Sequence, residues 1–176
     1  MRCTSDENIM EHSWEVAIIA HALALIKNEK FGGSADEYKT LCLAVYHETS
    51  EVVTGDLPTP IKYFNDDIKT AYKSLEALSC QKLVSKLPEE LRAKYETFVS
   101  GDTKSEEYKL MKAADRICAY IKCVEELKVG NREFVKAKES IGADIFAIDD
   151  PAVQYFCKYI LPTFEKSLDE LEEIGN

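Results

Sequence analysis

The stretch SEEYKLMKAADRICAYIKCVEELKV, residues 105–129, decides the fold. Tyr108, Met111, Ala114, Cys118, Ile121, Val124 and Leu127 recur at three- and four-residue spacing, the period of an amphipathic α-helix. Asp115 falls on or beside that apolar stripe, where a solvated carboxylate is out of place. A helix of this length needs other apolar faces against it, and the rest of the chain offers them as further helices. Residues 8–27 carry Val16, Ile19, Ala20, Leu23 and Ile26 at helical spacing, with His12 near the first turn, and Phe31-Gly32-Gly33-Ser34 ends the pattern. Residues 35–53 read as a single helix running through Leu41, Leu43, Ala44, Val45 and His47. The loop Thr54-Gly55-Asp56-Leu57-Pro58-Thr59-Pro60, with its two prolines, breaks it. Further helices are expected over 65–86, from Pro88 to Val99, over 133–141 and over 150–173, the last kinked or split by Pro162. No stretch shows β-type alternation. The expectation is an all-α bundle of roughly six or seven helices, one domain over residues 1–176.

The chain has 176 residues and a formal net charge of -10. A nucleic-acid polymer is excluded as a partner, because phosphate contacts need a basic face. A single nucleotide is compatible, since a metal and one or two cations neutralise one phosphate. Six cysteines are scattered without a Cys-x-x-Cys pair, which fits reduced thiols in the cytoplasm. No window reads as a membrane span of roughly 18 to 20 apolar residues, so no membrane partner is expected. Acidic runs at Glu125-Glu126 and near the C-terminus read as solvated faces.

Three patches far apart in the chain hold what a buried metal needs: Glu11-His12-Ser13, Tyr46-His47-Glu48-Thr49-Ser50-Glu51 and Lys112-Ala113-Ala114-Asp115-Arg116. They use two of the three histidines. His12, His47 and Asp115 each sit in an apolar helical pattern, and one divalent ion would satisfy all three. On a continuous helix Glu51 shares the side of His47 and Glu48, and Glu48 lies one step of about 100° from His47. Two imidazoles and two carboxylates form a borderline-hard N/O set, and hydrolysis is the natural reaction class for such a site. His21 lies about 180° round the helix from His12 and reads as structural. Trp14 reads as core packing, with the wall of a base pocket as the alternative.

These patches resemble the HD-domain metal-dependent phosphohydrolases, and more closely the bacterial 5'-deoxynucleotidases. The resemblance rests on Glu7-Asn8 with Glu11-His12-Ser13, on YHETSEVVTGDLPTPIKYF from Tyr46 to Phe64, and on Ala114-Asp115 with Cys118-Ala119-Tyr120 and Lys122-Cys123. It implies an HD-domain helical bundle that cleaves deoxyribonucleoside 5'-monophosphates to deoxynucleoside and phosphate. It further implies His12, His47, Glu48 and Asp115 as ligands of a divalent metal ion (Co, Mn, Fe, Zn, Ni or Mg). Glu51 would orient or deprotonate the attacking water. Asp56, Leu57, Pro58 and Thr59 would line the nucleotide pocket, with Asp56 disfavouring a 2'-hydroxyl. A homodimer is implied as well.

Two departures from the family pattern stand out. Where the family has His-Asp, this chain has His47-Glu48, one methylene longer. The family's additional N-terminal segment, with an Arg-Trp pair that contacts substrate, is missing from this sequence, so Arg2, Lys62 and Arg116 are the candidates for holding phosphate. The alternatives are a hydrolase of another small phosphoester, or a nucleotide-binding HD domain without catalysis.

Overall fold

Most of the long helices begin at a residue whose side chain satisfies open N–H groups of the first turn. In the computed structural model, which describes residues 3, 4, 7–55, 57, 59–62, 64–167, 169 and 170 without the side chains of Thr59 and Pro60, α1 spans Ile9–Phe31. The Asn8 side chain accepts from the N–H groups of Met10 (2.9 Å) and Glu11 (3.1 Å), and the Glu11 carboxylate accepts from Asn8 N–H at 3.0 Å. This reciprocal cap fixes where the helix starts and so sets His12 in its first turn. Gly32 closes it at φ 66°, a left-handed conformation that glycine adopts without strain.

After α1 come α2 (Glu37–Tyr46), the single turns α3 (Glu51–Thr54) and α4 (Thr59–Lys62), then α5 (Asp66–Val84), α6 (Glu89–Val99) and α7 (Glu106–Lys128). A 3-10 turn, Arg132–Phe134, leads into α8 (Val135–Phe146), followed by α9 (Pro151–Tyr159) and a 3-10 turn over Leu161–Glu165. Asp36, Asn65, Ser105 and Asp150 cap α2, α5, α7 and α9 through their side chains. Among the described residues there is no strand, and the all-α bundle is as expected.

Several elements differ from the sequence reading. The helix expected over 35–53 is broken: α2 stops at Tyr46, and residues 47–50 turn with Thr49 N–H bonded to Tyr46 O (3.1 Å) and Glu51 N–H to Glu48 O (2.9 Å). These three-residue closures tighten the chain without leaving right-handed backbone at His47 or Ser50. The eighth helix starts later and runs further than residues 133–141. Pro162 splits the last helix, because a proline lacks the N–H that α9 would need to continue. The expected end of that helix, residues 171–173, lies outside the described residues. Glu126 is not on a solvated face: it is 2 % exposed, accepting from Thr4 N–H at 2.8 Å and from Asn131 Nδ2 at 2.6 Å.

The core gathers where α1 packs on α2, α7 and α9. Leu23, Leu43, Leu110, Ile117 and Val153 are fully buried there, each contributing about 1.5–3 kcal/mol by leaving water. Lys27 ties three of these helices together, with Nζ 2.6 Å from Asp150 at the start of α9 and 2.8 Å from Glu106 in the first turn of α7. Contrary to the sequence expectation, α1 is long and apolar enough to cross a bilayer by length and composition. Its composition has another cause here: Val16, Ala17, Ala20, Leu23 and Ala24 are fully buried against neighbouring helices.

Candidate metal centre

Three elements converge on one point. His12 comes from the first turn of α1, His47 and Glu48 from the turn after α2, and Asp115 from the middle of α7. Their ligand atoms all lie within 4.8 Å of one another. His12 Nε2 is 3.3 Å from Asp115 Oδ1, and the two imidazole rings lie 5.4 Å apart between centroids. His47 Nε2 lies 3.6 Å from Glu48 Oε1 and 3.8 Å from Asp115 Oδ1. The additional methylene of Glu48 therefore does not carry its carboxylate away from the cluster.

His47 is the most informative member. Its side chain is 4 % exposed, and Nδ1 lies 2.7 Å from Ala44 O. A carbonyl oxygen only accepts, so Nδ1 carries the hydrogen and Nε2 presents a lone pair. Among the described residues that buried Nε2 has no hydrogen-bond partner, a costly arrangement for a polar atom unless a cation accepts its lone pair. Two neutral imidazoles with two carboxylates also carry the charge that a divalent ion neutralises. The donor set thus fits Mn²⁺, Co²⁺, Fe²⁺, Zn²⁺ or Ni²⁺.

The electrostatics follow from this crowding. Burial pushes the Asp115 carboxyl up, but His12, His47 and Lys112 facing it hold it well below the usual carboxylate range. Burial pushes His12 down, yet its bonds to Asp115 and Glu7 and the charge of Glu48 outweigh that and raise it to about 10. Glu7, whose Oε1 is 3.5 Å from His12 Nδ1, is lowered to about 2: the His12 hydrogen bond dominates over burial, with help from Lys122. Without a metal, a proton on His12 answers the two carboxylates.

Other nominated residues lie outside this group of four. Glu51 is buried at the start of α3; because the chain turns at 47–50, its side cannot be read from helical spacing. Leu57 is half-buried and Thr59 opens α4, whereas Asp56 and Pro58, like the Thr59 side chain, lie outside the described residues. Of the cations considered for phosphate, Arg2 lies outside the described residues. Lys62 pairs with Glu76 at 2.7 Å and Arg116 with Asp144 at 2.7 Å, so the ion pair of each is with a carboxylate outside the cluster. Among the described residues, the basic side chain that touches the cluster is Lys112, half-exposed and ion-paired with Asp115 Oδ2. Sequence reasoning missed it, although a lysine three residues before an aspartate on one helix shares its face. Trp14 is also not core: it is 67 % exposed, and with Met10, Val45 and Val52 it walls an apolar cleft of about 340 Å³ that reaches Glu48.

An all-α bundle that brings two histidines and two carboxylates from three separate helical elements to one point is the architecture of an HD-domain phosphohydrolase. Solved structures agree. An HD-domain phosphohydrolase from Listeria innocua superposes with a TM-score of 0.81 at 25 % identity, covering 93 % of this chain and 79 % of that one. A protein from Pyrococcus horikoshii superposes at 0.62 and 26 % identity, covering 93 % and 85 %. The chain belongs to the 5'-deoxynucleotidase YfbR-like family, whose pattern matches residues 1–164. A 5'-deoxynucleotidase of Vibrio vulnificus is 51 % identical over 172 residues, 97 % of this chain and 89 % of the relative. The 5'-deoxynucleotidase YfbR of Escherichia coli (strain K12 / DH10B) is 48 % identical over 174 residues, 98 % and 87 %.

Proposed function

We propose that the protein is a divalent-metal-dependent phosphomonoesterase that hydrolyses deoxyribonucleoside 5'-monophosphates to deoxynucleoside and phosphate. The observation that carries this reading is the buried, unpartnered Nε2 of His47 facing two carboxylates. Relatives named as 5'-deoxynucleotidases, near half identical over almost the whole chain, supply the substrate class.

In this reading His12, His47, Glu48 and Asp115 hold the ion. When bound, it supplies Lewis-acid polarisation of the phosphoryl group and lowers the pKa of water. Lys112 donates from its ammonium to a non-bridging phosphate oxygen, a role that suits a mobile point charge. Glu51 takes the proton of the attacking water as its oxygen bonds to phosphorus. The bond from phosphorus to the 5'-oxygen breaks, and the Glu51 carboxyl returns the proton to that leaving oxygen. Asp56, Leu57, Pro58 and Thr59 line the sugar, with Asp56 disfavouring a 2'-hydroxyl. The base lies in the apolar cleft against Trp14, whose exposed indole face suits stacking.

The working unit in this proposal is a cytoplasmic homodimer. Leu75 and Leu78, 47 % and 62 % exposed and three residues apart on α5, form an apolar ridge that a second copy would cover. The six free cysteines fit a reducing compartment.

The test is phosphate release from dAMP, dTMP and AMP with Co²⁺, Mn²⁺ and Mg²⁺ supplied separately, with Asp115→Ala alongside. Release from the deoxy substrates, lost together with metal content in Asp115→Ala, is expected. Equal turnover of AMP would overturn the sugar selectivity. Full activity in Asp115→Ala would overturn the metal site.

A further inference from the structure

We propose that Glu7 is a positioning residue: its carboxylate, itself clamped by Lys122, holds the His12 ring so that Nε2 faces the metal centre. The inference rests on the reading of His12 as a metal ligand.

The two histidines of the centre are oriented in different ways. His47 gives its Nδ1 hydrogen to a backbone carbonyl, Ala44 O at 2.7 Å, a partner that no side-chain substitution removes. Among the described residues His12 has no such carbonyl. Its Nε2 is directed at Asp115 Oδ1, and its Nδ1 faces Glu7 Oε1 at 3.5 Å. The other Glu7 oxygen is ion-paired with Lys122 Nζ. A line of polar contacts therefore runs from Asp115 on α7 through His12 on α1 and Glu7, just before the α1 cap, back to Lys122 on α7. Asp115 and Lys122 lie seven positions apart on α7, two turns of one face, so a single rigid helix sets both ends of the line.

A carboxylate on the outer nitrogen of a ligating histidine fixes the tautomer and raises the basicity of the inner nitrogen. Glu7 stands one residue before the Asn8 cap, so the cap that starts α1 also fixes where this carboxylate projects. The surroundings make the clamp necessary. Glu7 shares a cleft of about 640 Å³ with Glu11, Glu15, Glu125 and Glu126, and among the described residues that line it Lys122 is the one basic side chain. Without Lys122, repulsion from these carboxylates acts on Glu7 with the His12 ring alone opposite it among the described residues.

The experiment measures Zn²⁺ affinity by calorimetry and the ring nitrogens of His12 by ¹⁵N NMR, in wild type, Glu7→Ala, Glu7→Gln, Lys122→Met and His12→Ala. Thermal melts of the chelated proteins are run in parallel. Glu7→Ala is expected to weaken Zn²⁺ binding by about 10- to 100-fold and to remove the single protonated Nδ1 signal. In Glu7→Gln, whose amide oxygen still accepts, most of the affinity and the signal should return. Lys122→Met should weaken binding by a smaller factor than Glu7→Ala. A drop in melting temperature for Glu7→Ala with Zn²⁺ affinity unchanged would reduce Glu7 to a structural residue and overturn the proposal. Unchanged Zn²⁺ binding in His12→Ala would instead overturn the ligand reading beneath it, and the role of Glu7 with it.

Discussion

Metal uptake should expel a proton from His12, even at a pH where an ordinary histidine has none to give. The pKa of about 10 arises because two carboxylates bracket the imidazole and outweigh its burial. A ligating nitrogen must be unprotonated, so affinity falls as pH falls below that value. At pH 8 a histidine at about 10 holds about 0.99 of a proton, whereas one at the usual 6.5 holds about 0.03. Apparent affinity should therefore rise about tenfold per pH unit, or about a hundredfold between pH 6.5 and 8.5. The assay is calorimetric titration with Mn²⁺ at pH 8 in buffers of different ionisation enthalpy, which counts protons released per metal bound. One proton is expected in wild type and none in His12→Gln. A wild-type count near zero would refute the reasoning, because His12 would then not be held as an imidazolium by Glu7 and Asp115. The same linkage has a stability counterpart with its own sign. A raised histidine stabilises the metal-free fold below 6.5, and that contribution is lost as pH rises through about 10.

Further predictions concern the scaffold. Asn8→Ala should destabilise the protein by about 1 kcal/mol through loss of the α1 cap, seen as a lower urea midpoint; an unchanged midpoint would mean the cap is replaced by solvent. Gly101→Ala forces a side chain to φ 56°, with its Cβ 2.9 Å from a Tyr108 ring carbon and 3.1 Å from Leu43. A loss of about 1–3 kcal/mol is expected in thermal melts, and wild-type stability would show that the loop relaxes. Glu107 is held below its usual 4.5, because its bonds to Lys39 and the Asp36 N–H outweigh burial. Its stabilisation is present above 4.5 and fades as pH falls through the lower folded value. Lys39→Met should flatten the fall in melting temperature across that acid range, and an identical acid profile would contradict the pairing.

Much of the architecture was legible because its signals are local. Asn8, Ser105 and Gly32 mark helix ends through groups within five residues of themselves, and the stripe on α7 repeats often enough to fix its face. The break at residues 47–50 was not legible, because no glycine or proline marks it and the apolar pattern resumes at Val52. A shift from four-residue to three-residue hydrogen bonding leaves almost no trace in composition. His12, His47 and Asp115 could be nominated because polar groups in apolar stripes need a reason to be there, and the resemblance to the HD-domain family added Glu48 to them. Glu126 was misjudged for the opposite reason: a charged residue looks solvated in sequence, and only tertiary contacts reveal what it faces. Trp14 failed likewise, since an indole in an apolar helix reads as buried until the neighbouring surface is known.

The distance along the chain between His12 and Asp115, 103 positions, determines when the ion can arrive. If His12, His47, Glu48 and Asp115 hold the ion as proposed, the first two helices would offer an incomplete set during synthesis, and the fourth ligand would be added only once α7 has been made and docked. On that proposal metallation would be a late event that follows assembly, and binding would then add RT ln(1 + [M]/Kd) to the stability of the assembled chain alone. A cell short of the metal would accumulate correctly folded but idle protein, held by the His12 proton in the meantime. Zinc-finger-like domains, in which the ion drives folding, would stay unfolded under the same shortage.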